Sequence, residues 1–201
     1  MILPKGASPI ASAKPHLVLA SESPRRKALL AQIGIVPDII HPAAIDESVT
    51  KGELPRKHAL RLATAKARAV ERDGFILAAD TVVACGRRIL PKAMDDDQVR
   101  ACLELLSGRR HQVITAVALL TQDRKLRTRL CLTRVRFFNL TRAEIDAYVE
   151  SREGIGKAGG YAIQGRAELF VKDIAGSYSN VVGLPLAETG RLLVSAGFAL
   201  D

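Results

Sequence analysis

The chain has 201 residues, 48% of them hydrophobic and 25% charged, values that exclude an intrinsically disordered polypeptide and allow a single domain with a substantial core. Its formal net charge of +9 points to an acidic partner, either a nucleic acid or a small polyanion such as a nucleotide. Three Tyr, five Phe and no Trp leave few stacking faces for single-stranded nucleic acid, which favours the small polyanion.

Residues 1–15 carry Pro4, Pro9 and Pro15 between short apolar runs and read as a flexible leader, neither signal peptide nor anchor, before a single domain over 16–201. Cys85, Cys102 and Cys131 are far apart, with no CxxC pair and no metal-ligand spacing to histidine. They read as free thiols in a reducing compartment, and with no apolar stretch near the roughly 20 residues that span a bilayer the expected location is the cytoplasm, with no membrane partner.

The first structured stretch is the most informative. Leu17-Val18-Leu19-Ala20 reads as a buried strand, Ser21-Glu22-Ser23 as a tight turn, and Pro24 as the start of a helix to residue 33, with Ser23 as its N-cap. Arg25 and Arg26 then fall in the first helical turn, where cations oppose the helix dipole, so an anion is expected beside the free backbone donors. A polyphosphate suits such a site, although solvated arginines and a plain cap account for the stretch taken alone.

After Gly34 the sequence predicts a short strand within 37–42 and then a loop bearing the paired carboxylates Asp46 and Glu47. Residues 55–72 form an alanine-rich helix with Ala59, Leu62, Ala63 and Val70 near one stripe, and Lys66, between two alanines, is placed to reach a cleft. Residues 75–83 make a continuous apolar run broken by Asp80, with Thr81 beside it. A buried carboxylate costs too much to stand alone, so Asp80 is a metal ligand, a general base or one half of an ion pair with an arginine. Lys92 follows a turn at Cys85-Gly86 that sends the chain back toward the same strand. Asp95-Asp96-Asp97 lead a helix over 97–107 and read as a dipole feature, with Val99, Cys102, Leu103 and Leu106 facing inward.

Residues 111–120 and 126–138 predict a long antiparallel hairpin whose second strand carries Arg127, Arg129, Arg134 and Arg136, a basic face that suits either nucleic acid or solvent. Thr141 and Glu144 form a capping box for a helix to about residue 150. Five glycines surround Lys157 in 154–165, but Ser151 and Ala158 stand where a Walker motif needs Gly and Ser or Thr. Such glycines signal unusual backbone angles and close approach to a ligand or another strand. An amphipathic helix over about 186–196 closes the domain.

Five ordered motifs, Ala20-Ser-Glu-Ser-Pro-Arg-Arg26, Ala79-Asp-Thr81, Leu106 to Thr115, Gly156 to Gly165 and Gly176 to Pro185, together resemble the Maf family of nucleoside triphosphate pyrophosphatases. The resemblance spans about residues 16–195. It implies an elongated, two-lobed α/β fold of the kind shared with inosine triphosphate pyrophosphatases, with a mixed sheet and a central cleft. It also implies cleavage of the α–β phosphoanhydride of a nucleoside triphosphate, a divalent cation (Mg²⁺ or Mn²⁺), and a homodimer with no stable nucleic-acid partner. Carried onto matching positions, Ser21, Ser23, Arg25 and Arg26 line the phosphate end, Glu47 and Asp80 hold the metal, Asp80 is the general base or orients the water, and Lys66 and Lys92 neutralise triphosphate charge. Arg25, Thr81 and Gln164 match the subgroup acting on dTTP and UTP, against an alternative preference for 7-methyl-GTP. The rival class is a non-catalytic basic protein that binds nucleic acid or a cell-division partner. One departure stands out: Lys92 is followed by Ala93 where the family usually has proline.

Overall fold

A computed structural model describes residues 16–200, so the 1–15 leader lies outside the described residues. Seven strands form one mixed sheet: β1 (Leu17–Leu19), β2 (Ile39–Ile40), β3 (Phe75–Cys85), β4 (Arg88–Leu90), β5 (Arg110–Leu120), β6 (Leu126–Phe137) and β7 (Val171–Ala175). The helices are α1 (Pro24–Gln32), α2 (Pro55–Ala69), α3 (Asp96–Leu106), α4 (Arg142–Glu150), α5 (Tyr178–Val182) and α6 (Leu186–Ser195), with a 3₁₀ turn at Arg166–Phe170.

The sheet order is β2-β1-β3-β5-β6-β7, with β1 parallel to both β2 and β3 and the remaining pairs antiparallel. β3 is the axis. Along one edge it pairs with β5 over Ile76–Ala84. Along the other it pairs with β1 only at Phe75–Leu77 and with β4 only at Val83–Cys85. Residues 78–82 therefore have no strand partner on that side, and a gap opens in the sheet at the position of Asp80 and Thr81.

The strand period of two sends alternate β3 side chains to two cores. Phe75, Leu77, Ala79 and Val83 join the larger core with α1, α3, α4 and α6, while Ile76, Ala78 and Val82 face α2. The second core is built largely of alanines: Ala59, Ala63 and Ala67 on α2 against Ala78, Ala116 and Ala118 on the sheet. Small side chains on both surfaces bring α2 close to the sheet, and Lys66 is carried into the interior with it.

Most predicted elements are present with end-points shifted by a few residues. The strand expected within 37–42 shrinks to Ile39–Ile40, because only those residues find a ladder partner in β1. β4, β7 and α5 were not anticipated; all three are short, β4 closes a hairpin directly after β3, and β7 and α5 find their partners far along the chain in β5 and β6. The Thr141–Glu144 capping box forms as expected, and Asp95 caps α3 by accepting from the Gln98 N–H. Among the described residues no helix is long and apolar enough to cross a membrane.

Candidate active site

The gap beside β3 is the floor of a cleft of about 600 Å³. Its walls come from the β1–α1 turn, the loop around Glu47, α2, the segment at Lys92, the glycine-rich loop and the end of α5, and Ser21, Ser23, Arg25, Arg26, Glu47, Lys66, Asp80, Thr81, Lys92 and Gln164 all line it. These ten candidate site residues are thus in one place, while Asp46, the Asp95–Asp97 run and the β6 arginines lie outside it.

At its centre Lys66 bridges two carboxylates, its Nζ lying 2.6 Å from Asp80 Oδ1 and 2.6 Å from Glu47 Oε1. Lys92 Nζ holds the other Glu47 oxygen at 2.5 Å. Lys66 and Asp80 are both buried, so the pair exists at a depth where neither charge is tolerated alone. Burial alone pushes the Glu47 carboxyl up, but hydrogen bonds from the Lys66 and Lys92 ammoniums outweigh it and hold the group at about 2. Glu47 is therefore ionised at neutral pH, at the end of a loop that reaches the cleft because Arg61 on α2 grips the Ser48 carbonyl and the Glu53 carboxylate.

The turn before α1 is built differently from expectation. Ser23 occupies the N-cap position, but its hydroxyl makes no capping bond; instead the Ser23 N–H donates to Ser21 Oγ at 3.2 Å. The first-turn N–H groups of α1 and the Ser23 hydroxyl are left without a side-chain cap, which suits an anion. Arg26 is only partly available to that anion. Its Nε donates to the Gly183 carbonyl at 2.9 Å, one terminal nitrogen to Ser21 Oγ at 3.0 Å and the other to Thr81 Oγ1 at 3.4 Å. It straps the turn, β3 and the end of α5 together, and burial, helped by the Arg25 charge, outweighs the Asp80 and Glu47 carboxylates and leaves its pKa lowered. Among the described residues Arg25 has no such ties.

Thr81 also ties the cleft to the rest of the fold. Its hydroxyl lies 2.9 Å from the Thr115 hydroxyl, and Thr115 in turn reaches the Asn180 carbonyl at 3.3 Å, so a polar chain runs from the cleft along one face of the sheet to α5. Gln164 is exposed on the cleft rim after the glycine-rich loop.

That loop is pinned to the Lys92 segment. The Gly156 N–H donates to the Ala93 carbonyl at 2.7 Å, the Gly159 N–H to Pro91 at 3.1 Å and the Ala93 N–H to the Lys157 carbonyl at 3.1 Å. A proline at 93 has no N–H to give, so alanine adds one bond to this ribbon. Gly159 and Gly160 both have φ of +69°, and a Cβ on Gly159 would stand 2.8 Å from a Val83 methyl. Only glycine allows so close a seat against β3.

Behind the loop, His111 Nε2 lies 2.8 Å from the Tyr161 hydroxyl, and its Nδ1 is buried without a partner among the described residues. Burial pulls the imidazole down to about 4. A depressed histidine pKa means the unfolded chain binds a proton that the folded chain refuses, so its contribution is intact above pH 6.5 and is lost as pH falls toward 4. Between pH 6.5 and 5 we expect a loss on the order of 2 kcal/mol in urea-denaturation stability, and a much smaller loss in His111→Gln; equal losses in the two proteins would remove His111 as the cause.

The chain belongs to the Maf family: residues 16–196 match the family described as "Maf-like protein". It is 58% identical to the dTTP/UTP pyrophosphatase of Paramagnetospirillum magneticum, over 91% of this chain and 98% of that one, and 56% identical to the dTTP/UTP pyrophosphatase of Caulobacter vibrioides, over 93% and 98%. A solved HAM1 protein from Coxiella burnetii is similar at 17% identity and a TM-score of 0.48, covering 90% of this chain and all of that one.

Sequence reasoning did not place Lys157 in the site, although it lines the same cleft. The density of glycines around it was the available signal. Gly183, whose carbonyl anchors Arg26, left no side-chain signal to read.

Proposed function

We propose that this protein hydrolyses dTTP and UTP at the α–β phosphoanhydride, giving the nucleoside monophosphate and pyrophosphate, the substrates named for its relatives. The observation that carries the reading is the Glu47–Lys66–Asp80 cluster, buried at Lys66 and Asp80 and open to the cleft at Glu47, facing the free N-terminus of α1 across a cleft lined by further cations. A largely buried alternation of acid and base of this kind is costly for stability and useful for phosphoryl chemistry, which depends on positioning and on charge stabilisation.

On this reading Arg25, the Ser21 and Ser23 hydroxyls and the α1 N–H groups bind phosphate oxygens. Asp80 orients a water toward the α-phosphorus and takes its proton as the new P–O bond forms and the bond to the bridging oxygen breaks. Lys66 holds Asp80 and Glu47 in place, and Lys92 faces the charge that develops on the departing pyrophosphate. Thr81, tied to Arg26 and Thr115, and Gln164 on the rim contribute to the choice of nucleotide.

A divalent cation, Mg²⁺ or Mn²⁺, belongs with this proposal. Glu47 and Asp80 supply hard oxygen donors that converge on one cationic group, and no cluster of three His, Cys, Asp or Glu side chains exists among the described residues. That donor set fits Mg²⁺, which binds through one or two carboxylates and takes its other ligands from phosphate and water. When bound, such a cation neutralises phosphate charge and polarises a phosphoryl oxygen.

The test is pyrophosphate release with Mg²⁺ from dTTP, UTP, CTP, 7-methyl-GTP and ITP in parallel. Fast release from dTTP and UTP is the expected result. Preference for 7-methyl-GTP or ITP would keep the reaction and discard the substrate assignment, and no release from any of them, with Mn²⁺ tried as well, would overturn the enzymatic reading.

A further inference from the structure

We propose that Arg61 and Glu53 are positioning residues for Glu47, an ion-pair brace on the outer side of α2 that keeps the Glu47 carboxylate at the cleft when a divalent cation engages it; the inference rests on the metal-assisted reading above.

Glu47 sits in a stretch with little of its own to fix its path. Residues 41–50 contain no helix or strand, and Asp46 and Ser48 on either side of Glu47 are exposed. Among the described residues the polar ties from 43–53 to the rest of the chain fall into two groups. The first is made by Glu47 itself, 2.6 Å from Lys66 Nζ and 2.5 Å from Lys92 Nζ. The second begins one residue later: Arg61 Nη2 donates to the Ser48 carbonyl at 2.8 Å, and Arg61 Nε and Nη2 donate to the two Glu53 oxygens at 2.7 and 2.8 Å. His58 Nδ1 lies 2.8 Å from Glu53 Oε2, and the Thr50 N–H donates to the same oxygen at 3.1 Å.

Only the second group survives a change of partner at Glu47. An ammonium and a divalent cation compete for the same carboxylate lone pairs, so the Lys66 and Lys92 contacts weaken as Glu47 turns to a metal. The Arg61–Glu53 contacts use no atom of Glu47. They hold the backbone beside it whichever cation the carboxylate faces.

The geometry of the brace suits this task. Arg61 and Lys66 are five positions apart on α2 and leave it on different faces, Lys66 buried and Arg61 exposed. One rigid helix therefore sets both the ammonium that meets Glu47 and the guanidinium that anchors the next residue. A planar guanidinium grips Glu53 with two nitrogens while reaching the Ser48 carbonyl, which a single ammonium cannot do. Only 9% of the Glu53 side chain is exposed, so the contact is shielded from the solvent that weakens most surface pairs. On the near side Asp46 accepts from the Ser48 N–H at 2.8 Å and from its hydroxyl at 2.9 Å, closing a turn around Glu47 and leaving the Ser48 carbonyl to Arg61.

Arg61→Met removes the fork and keeps the aliphatic stem; Glu53→Gln keeps the shape of the acceptor and removes its charge. Hydrolysis of dTTP is followed against Mg²⁺ concentration, and amide hydrogen exchange of the metal-free protein is followed in peptides covering 43–53. In Arg61→Met we expect the Mg²⁺ concentration for half-maximal rate to rise about tenfold or more, with the KM for dTTP at saturating Mg²⁺ little changed, and exchange in 43–53 to quicken about tenfold while the rest of α2 stays protected. Glu53→Gln should move both in the same direction by a smaller factor. A uniform loss of rate at every Mg²⁺ concentration, with a lowered melting temperature, would make Arg61 merely structural and overturn the proposal. Mg²⁺-dependent hydrolysis with an unchanged midpoint in both variants would sink this inference alone. If the wild type hydrolyses no nucleotide, the proposed reaction falls and exchange decides: quickening confined to 43–53 keeps the brace, and unchanged exchange overturns it.

Discussion

Asp80→Asn is expected to lower kcat for dTTP hydrolysis by about a thousandfold while leaving a folded protein. The two halves of this expectation come from different contacts. Asparagine keeps an oxygen for the Lys66 ammonium, which also retains Glu47 at 2.6 Å, so no charge is stranded in the interior. The variant should melt as one cooperative unit within a few degrees of the wild type. What asparagine cannot do is take a proton from water at neutral pH, or lend a full negative charge beside Lys66. Turnover within tenfold of the wild type would remove Asp80 from the chemical step, and a fallen melting temperature would assign its role to structure.

Lys66→Met has the second large effect, and it divides the other way. Removing the ammonium leaves Asp80 buried at 5% exposure, with its direct ion pair gone and the more distant Arg26 and Arg61 charges left to favour it. Breaking a buried pair from one side typically costs 3–5 kcal/mol, a large part of the roughly 5–15 kcal/mol that holds a domain together. We expect about 3 kcal/mol of destabilisation by urea denaturation, together with loss of activity, since Glu47 also loses one of its two tethers. The double variant Lys66→Met/Asp80→Leu should recover much of that stability and none of the activity, because an apolar pair of similar volume leaves no charge to strand. If the single variant is as stable as the wild type, the ion pair is not the constraint described here.

Local signals in the sequence marked much of the site. Ser21 to Arg26 combine strand, turn and helix start within one short segment, and each step follows from nearest-neighbour chemistry: proline at the first helical position, a cap residue before it, cations where the dipole asks for an anion. Asp80 stood out because it interrupts an apolar run. Lys66 was visible by its place among alanines, and Glu47 came through the family resemblance. Other features had no local signature. Ser23 was expected to cap α1 with its hydroxyl, and the turn instead closes through Ser21. Arg26 was placed among the phosphate ligands, yet three of its nitrogens are occupied within the fold. Its principal partner, the Gly183 carbonyl, is 157 positions away along the chain. Lys157 was noted only as the basic residue of a glycine-rich stretch, because the cleft it faces does not exist until that stretch pairs with Pro91–Ala93.

By itself, then, the amino-acid order determined what depends on neighbours a few residues apart: the periodicity of the helices and strands, the capping box at Thr141, the basic balance of the whole, and the residue types available for phosphate chemistry. The tertiary structure decided what depends on distant partners. It opened the sheet at residues 78–82 because β1 and β4 share one edge of β3 and meet only its two ends. It brought Lys66 between Glu47 and Asp80 because the alanine faces of α2 and the sheet pack closely enough to take a lysine inside. It also matched Lys66 and Lys92 with carboxylates, and among the described residues left Arg25 and Lys157 without one within 4.0 Å. Hydrophobic periodicity is a property of a segment, whereas the charge state and reach of a side chain are set by whichever groups the fold places beside it.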